Sequence, residues 1–249
     1  MSDSGNHKLY THEFIDIVGQ NRARYMHHMT ANWSPIAQEE RDQLCFGVWG
    51  VVGTTGRWPE VVNLWEEDGF DGLAAGLRHE LSRPNLQDEK LERWWAEASG
   101  YRRGGLDRLL IPAPWTRTIT QLCEDGVSGV AYAHEMVKVA QGDAEQFLSL
   151  VGEQAVPAYG EHGWELVGAW RTAMHDDAEC VLIWAIPSWE QWADLEKAVA
   201  YRGGLKGWRE LLYERSCSAE RILMMDAPLC PLKIGRQPAR SDRDPAWQE

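Results

Sequence analysis

Two stretches of the chain alternate apolar and polar residues and carry β-branched positions: "LYTHEFIDIV" (9–18) and "AYAHEMVKVA" (131–140). Both predict strands. Each is followed by a segment with helical periodicity, "GQNRARYMHHMTANWSPIAQEE" and "GDAEQFLSLVGEQAVPAYGEHG". In the second, Ala144, Phe147, Leu148 and Val151 form an i, i+3, i+4, i+7 stripe. Pro35 and Pro157 stand toward the ends, where a helix should break or bend. Then come two apolar strand pairs, "QLCFGVWGVVG" with "EVVNLWEE" and "ELVGAWRTA" with "ECVLIWAI", each joined by turn residues. Helices follow over "FDGLAAGLRHEL" and "SWEQWADLEKAV", with a further helical piece in each half, "DEKLERWWAEASG" and "GWRELLYERS". A closing strand ends each half, "RLLIPAP" and "RILMMDAP".

The same order, strand–helix–strand–strand–helix–strand, is therefore written twice. "YTHEF" answers "YAHEM" 122 residues later, "GVW" answers "GAW" at 121, and "VVNLW" answers "CVLIW" at 119. "YRRGGL" and "YRGGL" match at 100 and "RLL" and "RIL" at 113, so the fourth match marks an insertion or a false pairing. The expected class is α+β, with two ferredoxin-like repeats over 1–119 and 130–232 and a flexible C-terminal tail over 233–249. One such sheet has helices on a single face and must cover the other. Two copies in one chain can cover each other about a pseudo-twofold axis, as a homodimer does.

The opening strand of the second copy, Gly142, "LVGAWRT" and "VLIWAIPSWEQW" resemble the NIPSNAP-like branch of the dimeric α/β-barrel superfamily. Ala169 stands between Gly168 and Trp170 where that pattern has an aromatic residue, and the first copy, with Gln20 at the place of Gly142, matches more loosely. The resemblance implies a two-sheet barrel with helices outside and a cavity. Its relatives include cofactor-free monooxygenases, isomerases and cyclases, and haem-binding members, among which fold alone does not choose.

Alternation along the opening strands places Tyr10, His12, Phe14 and Asp16 on one face, and Tyr132, His134, Met136 and Lys138 on its counterpart. That face should look toward the partner sheet, with Asp16 and Lys138 complementary across the axis. His12 and His134 are the candidate acid/base groups, or else histidines satisfied at the sheet interface. Tyr10, Tyr132, Trp49, Trp65, Trp170 and Trp184 are candidates to line a pocket, or to fill a core. Arg171 follows Trp170 and could hold an oxyanion, or could emerge at a strand end.

The glycine-rich stretches "RRGG" and "YRGGL" lack the strand–loop–helix setting of a phosphate cradle and read as turns. No zinc-protease helix, CxxC pair or nucleophile elbow is present. No metal site and no cofactor are predicted; haem is left open without a motif that specifies it. The formal net charge of −13 argues against nucleic acid and an anionic membrane as partners. Five cysteines, an odd number, suit a reducing cytoplasmic setting, and "MSDSGNHK" lacks a leader's plan. Exposed strand edges would allow a homo-oligomer. The expected function is an enzyme acting on a small hydrophobic or aromatic molecule by acid/base or cofactor-free oxygenase- or isomerase-type chemistry. The alternative is a non-catalytic carrier of a hydrophobic ligand or haem, and a fully packed interaction protein is a third reading.

Overall fold

The computed structural model describes residues 5–82, 88 and 91–243. The first repeat runs β1 (Leu9–Ile17), α1 (Arg22–His27), α2 (Ser34–Arg41), β2 (Leu44–Val51), β3 (Glu60–Glu67), α3 (Gly69–Leu81), α4 (Glu92–Tyr101) and β4 (Arg102–Pro112). A linker holding α5 (Ile119–Glu124) leads to β5 (Ala131–Val139), α6 (Ala144–Leu150), α7 (Val156–Gly160), β6 (Glu165–Ala173), β7 (Glu179–Ile186), α8 (Trp189–Tyr201), α9 (Lys206–Arg215) and β8 (Ser216–Asp226). A short helix α10 (Pro231–Ile234) follows.

The eight strands close into one antiparallel barrel in the order β1-β3-β2-β8-β5-β7-β6-β4. Each repeat supplies four neighbouring strands with its opening strand central. The two sheets are then sewn together at both edges, β2 to β8 over Trp49–Val51 and β4 to β6 over Leu109–Pro112. Much of the edge expected to invite a second chain is thus paired within this one, because closure removes edges.

The repeated Gly-x-Trp pattern has a steric cause. Residues two apart on a strand share a face, and each indole folds back over its glycine. A Cβ on Gly47 would stand 2.0 Å from the Trp49 ring, and one on Gly168 2.2 Å from that of Trp170. Both strands also carry a bulge at this point, between Cys45 and Gly47 and between Leu166 and Gly168, which re-aims the intervening side chain inward. The two prolines do not end their helices. The chain passes through a wider π turn at His28–Trp33 and at Val151–Ala155 and continues helically through Pro35 and Pro157. Proline lacks the N–H and crowds the carbonyl four residues back, and the π turn opens the room it needs.

Two expectations are corrected and one open alternative is decided. Gly104 and Gly105 lie inside β4, not in a turn; a Cβ on Gly105 would meet the Phe14 carbonyl oxygen at 2.2 Å. Gly203 and Gly204 do lie between α8 and α9, so "YRRGGL" and "YRGGL" are a false pairing. Helix α4 is instead the counterpart of α9, each running directly into its last strand. Finally, residues 233–243 are not a free tail. Gln237 bonds both the main-chain N–H and the carbonyl of Cys45, at 3.0 and 2.8 Å, and Arg240 grips Glu39. The remaining expected tail, 244–249, lies outside the described residues.

Candidate active site

Along β1 and β5 the inward residues descend in matching order: Tyr10 and Tyr132, then His12 and His134, then Phe14 and Met136. The upper end of the barrel is solid. Tyr10 packs edge-on against Phe46 and Trp170, and Trp49 packs against Tyr132. All five are fully buried. The Tyr10 hydroxyl donates to Glu66 Oε2 at 3.0 Å, and that of Tyr132 accepts from the Gly129 N–H at 3.2 Å. Burial, with Glu66 next to Tyr10 and Asp226 near Tyr132, raises both phenols. Tyr10, Tyr132, Trp49 and Trp170 are therefore a core plug.

At mid-barrel the two repeats meet. His12 Nε2 and His134 Nε2 stand 2.9 Å apart and both rings are buried. One must donate and the other accept. His12 Nδ1 is buried without a partner. Burial holds both imidazoles neutral, aided for His12 by His134 and Arg108 and for His134 by Arg108; His134 is lowered to about 3.

Below the pair the barrel opens. A cleft of about 700 Å³ is walled by Phe14, Leu106, Met136 and Ile222, with Arg108 and His134 inside and Asp16, Arg57, Glu60 and Glu220 among its lining residues. Arg108 faces His12 across β1–β4. Its Nε donates to Glu179 Oε2 at 2.6 Å and its guanidinium lies over Phe14, while its buried Nη1 has no partner. The corresponding place opposite His134 is Ile222, so at this register position the pseudo-symmetric barrel carries a cation on one side only. The sequence match of "RLL" with "RIL" hid this residue. The strand register puts the counterparts 114 apart, not 113, and a slip of one residue exchanges the two faces.

Other expected site residues lie elsewhere. Arg171 points away from the barrel interior and pairs with Glu145 at 3.2 Å. Trp65 and Trp184 face the helices, where their indole N–H groups donate to Glu13 Oε2 at 2.8 Å and Glu135 Oε2 at 3.0 Å. Asp16 pairs with Arg57 and Lys138 with Asp176, not with each other. Sequence reasoning passed over Glu13 and Glu135, whose glutamates in an apolar strand face were the available signal. Glu135 also accepts from the Tyr159 hydroxyl at 2.9 Å. Glu13 accepts from Asn63 at 2.9 Å, and burial raises its carboxyl.

Haem does not fit the histidine pair as it stands, since each Nε2 is committed to the other and neither offers iron a free lone pair there. Among the described residues, Glu40, His79 and Asp88 bring three potential ligand atoms within 4.8 Å, with His79 and Asp88 already bonded at 3.1 Å. No described helix is long and apolar enough to cross a membrane.

No family model matches the sequence and no curated protein matches it. Solved structures match in fold. A "putative monooxygenase" from Lactobacillus acidophilus superposes with a TM-score of 0.59 at 10% identity, over 94% of this chain and 97% of that one. An "anthrone oxidase-like protein" gives 0.58 at 8%, over 91% and 93%. A NIPSNAP family protein from Agrobacterium tumefaciens matches 40% of this chain and 89% of its own, at 20% identity and a TM-score of 0.35. The two matches that span the whole chain give it the dimeric α/β-barrel fold, with both halves joined in one polypeptide.

Proposed function

We propose that the protein acts on a small hydrophobic or aromatic molecule bearing one acidic oxygen, held in the lower barrel cleft. The observation that carries this reading is the buried, unpartnered Nη1 of Arg108 beside a neutral histidine pair. A phenolate, enolate or carboxylate oxygen placed on that guanidinium would satisfy it, and Phe14, Leu106, Met136 and Ile222 would bury the apolar body. The anion would also offset the field of Arg108, which is one of the forces holding His134 down. Binding and the basicity of the pair are therefore coupled. The neutral pair can take a proton as the substrate forms its anion and return it on product formation, the acid/base step of an isomerase or a cofactor-free oxygenase.

A second reading, a non-catalytic carrier of the same class of molecule, is favoured by one feature: the pair's Nε2 atoms are turned to each other, and His12 Nδ1 is buried without a partner. Native mass spectrometry of protein from its host should reveal an acidic, apolar ligand. Screening turnover of that ligand then separates the readings. Arg108→Met should abolish binding in either case. His12→Gln with His134→Gln should retain binding and lose turnover if the pair is catalytic. Retained turnover in the double variant refutes the acid/base role, and wild-type ligand retention in Arg108→Met refutes the site.

A further inference from the structure

The two repeats treat one groove differently. In the first, the segment 237–243 lies along α2 and its preceding π turn. Gln38 donates to the Pro238 carbonyl at 2.8 Å, Arg240 forms a bidentate pair with Glu39 at 2.6–3.0 Å, and Arg243 reaches the carbonyls of Ala31 and Asn32 at 3.4 and 3.1 Å. Residues 31–37 are all buried. Pro157 is the counterpart of Pro35, 122 residues on, and each follows a π turn. By that register Ala31, Asn32, Gln38, Glu39 and Cys45 correspond to Glu153, Gln154, Gly160, Glu161 and, one residue shorter across the loop, Leu166. In the second repeat this berth is an open groove of about 700 Å³ lined by Trp115, Gly152, Glu153, Val156, Trp164 and Leu166, among others. Glu153, Gln154 and Pro157 are exposed where their counterparts are covered.

We propose that this groove is a docking site for an extended, arginine-bearing segment of a partner protein, seated as the chain's own 237–243 is seated in the first repeat. The inference is independent of the barrel cleft. The recognition chemistry is duplicated along with the fold. Pro157, like Pro35, removes the N–H that would reach the carbonyl four residues back, and in the first repeat a guanidinium supplies donors there. Glu161 offers the carboxylate that Glu39 offers Arg240. Trp164 is buried, lines the groove and keeps an indole N–H without a partner, a donor for a main-chain carbonyl of the incoming segment. The net charge of −13 favours a basic partner by long-range attraction.

The probe is a fluorescein-labelled synthetic peptide of residues 235–243, titrated with the full-length protein and read by anisotropy. Saturable binding that weakens in higher salt is expected. Gly160→Trp should reduce affinity by at least about tenfold, because a side chain at Gly160 enters open space and fills the groove. Glu161→Ala, on the surface, should cost about two- to fivefold, while Glu39→Ala leaves binding unchanged. A peptide with Arg240 and Arg243 replaced by alanine should lose binding. No binding up to millimolar protein overturns the proposal. So does sensitivity to Glu39→Ala but not Glu161→Ala, which would mean exchange at the tail's own berth. Self-association of the chain that free peptide dissolves would also overturn it, by assigning the groove to a second copy.

Discussion

Lowering the pH from 7.5 to 5.0 should destabilise the fold through the histidine pair. An exposed histidine titrates near 6.5. In the barrel, burial and Arg108 lower His134 to about 3, and burial, His134 and Arg108 lower His12 as well. The unfolded chain therefore binds protons that the folded chain refuses. Where the unfolded state holds more protons, stability rises with pH, so the loss begins as pH falls below about 6.5 and continues toward about 3. One and a half pH units into that window, His134 alone accounts for about 2 kcal/mol at pH 5, and His12 acts in the same direction. Buried carboxylates oppose it. Glu13, Glu66, Glu67 and Asp226 are raised by burial, so acid relieves their desolvation as it charges the histidines. The wild-type curve alone is a sum of both. The decisive quantity is the difference between wild type and His12→Gln/His134→Gln, measured by urea denaturation at the two pH values; the single His134→Gln serves if the double variant folds poorly. Wild type should lose about 2 kcal/mol or more relative to the variant on acidification. Equal losses in both would show that the pair stays readily protonated, and the neutral buried pair would be wrong.

Gly168→Ala should destabilise by about 1–3 kcal/mol from overpacking against the fully buried Trp170 ring, whereas Gly160→Ala, with open space at its Cβ, should cost less than about 1 kcal/mol; thermal melts compare them. Arg108→Met should raise the pH below which the acid-dependent difference just described stops growing on further acidification, since the guanidinium adds to burial in lowering both imidazoles; an unchanged lower limit would separate Arg108 from the pair. Glu135→Leu should cost about 3 kcal/mol, because Trp184 and Tyr159 both donate to that carboxylate and a buried donor left unmade is expensive. Glu135→Gln, which keeps an acceptor, should cost less than half as much by denaturant titration.

What the residues disclosed and what they hid divide along a physical line. Period-two alternation in "YTHEF" and "YAHEM" was enough to turn His12 and His134 onto one face, and a duplicated strand in a closed barrel must bring that face to the pseudo-axis. Their meeting at 2.9 Å follows from local pattern plus symmetry. The "GVW" and "GAW" motifs were equally legible, as the fold repeats because an indole must lie on a residue without Cβ. Arg108 was invisible because its identity as an inward group depends on register, and the repeat's spacing changes between β1–β5 and β4–β8. The sequence match paired it with Arg221, which faces the helices near Glu135, and no periodicity in "RLL" alone corrects a slip of one residue. Trp65 and Trp184 misled for a related reason: in strands buried on both faces an aromatic residue does not announce its side. The tail, 233–243, misled by composition. Its polar residues satisfy main-chain groups and a carboxylate in a groove that the folded first repeat creates, and a local reading of "GRQPARSDR" contains no trace of that groove. Symmetry therefore predicts well where both copies use the same residues. The asymmetric features, Arg108 against Ile222 and a filled groove against an open one, are the places where this chain has specialised, and they are where ligand and partner should be sought.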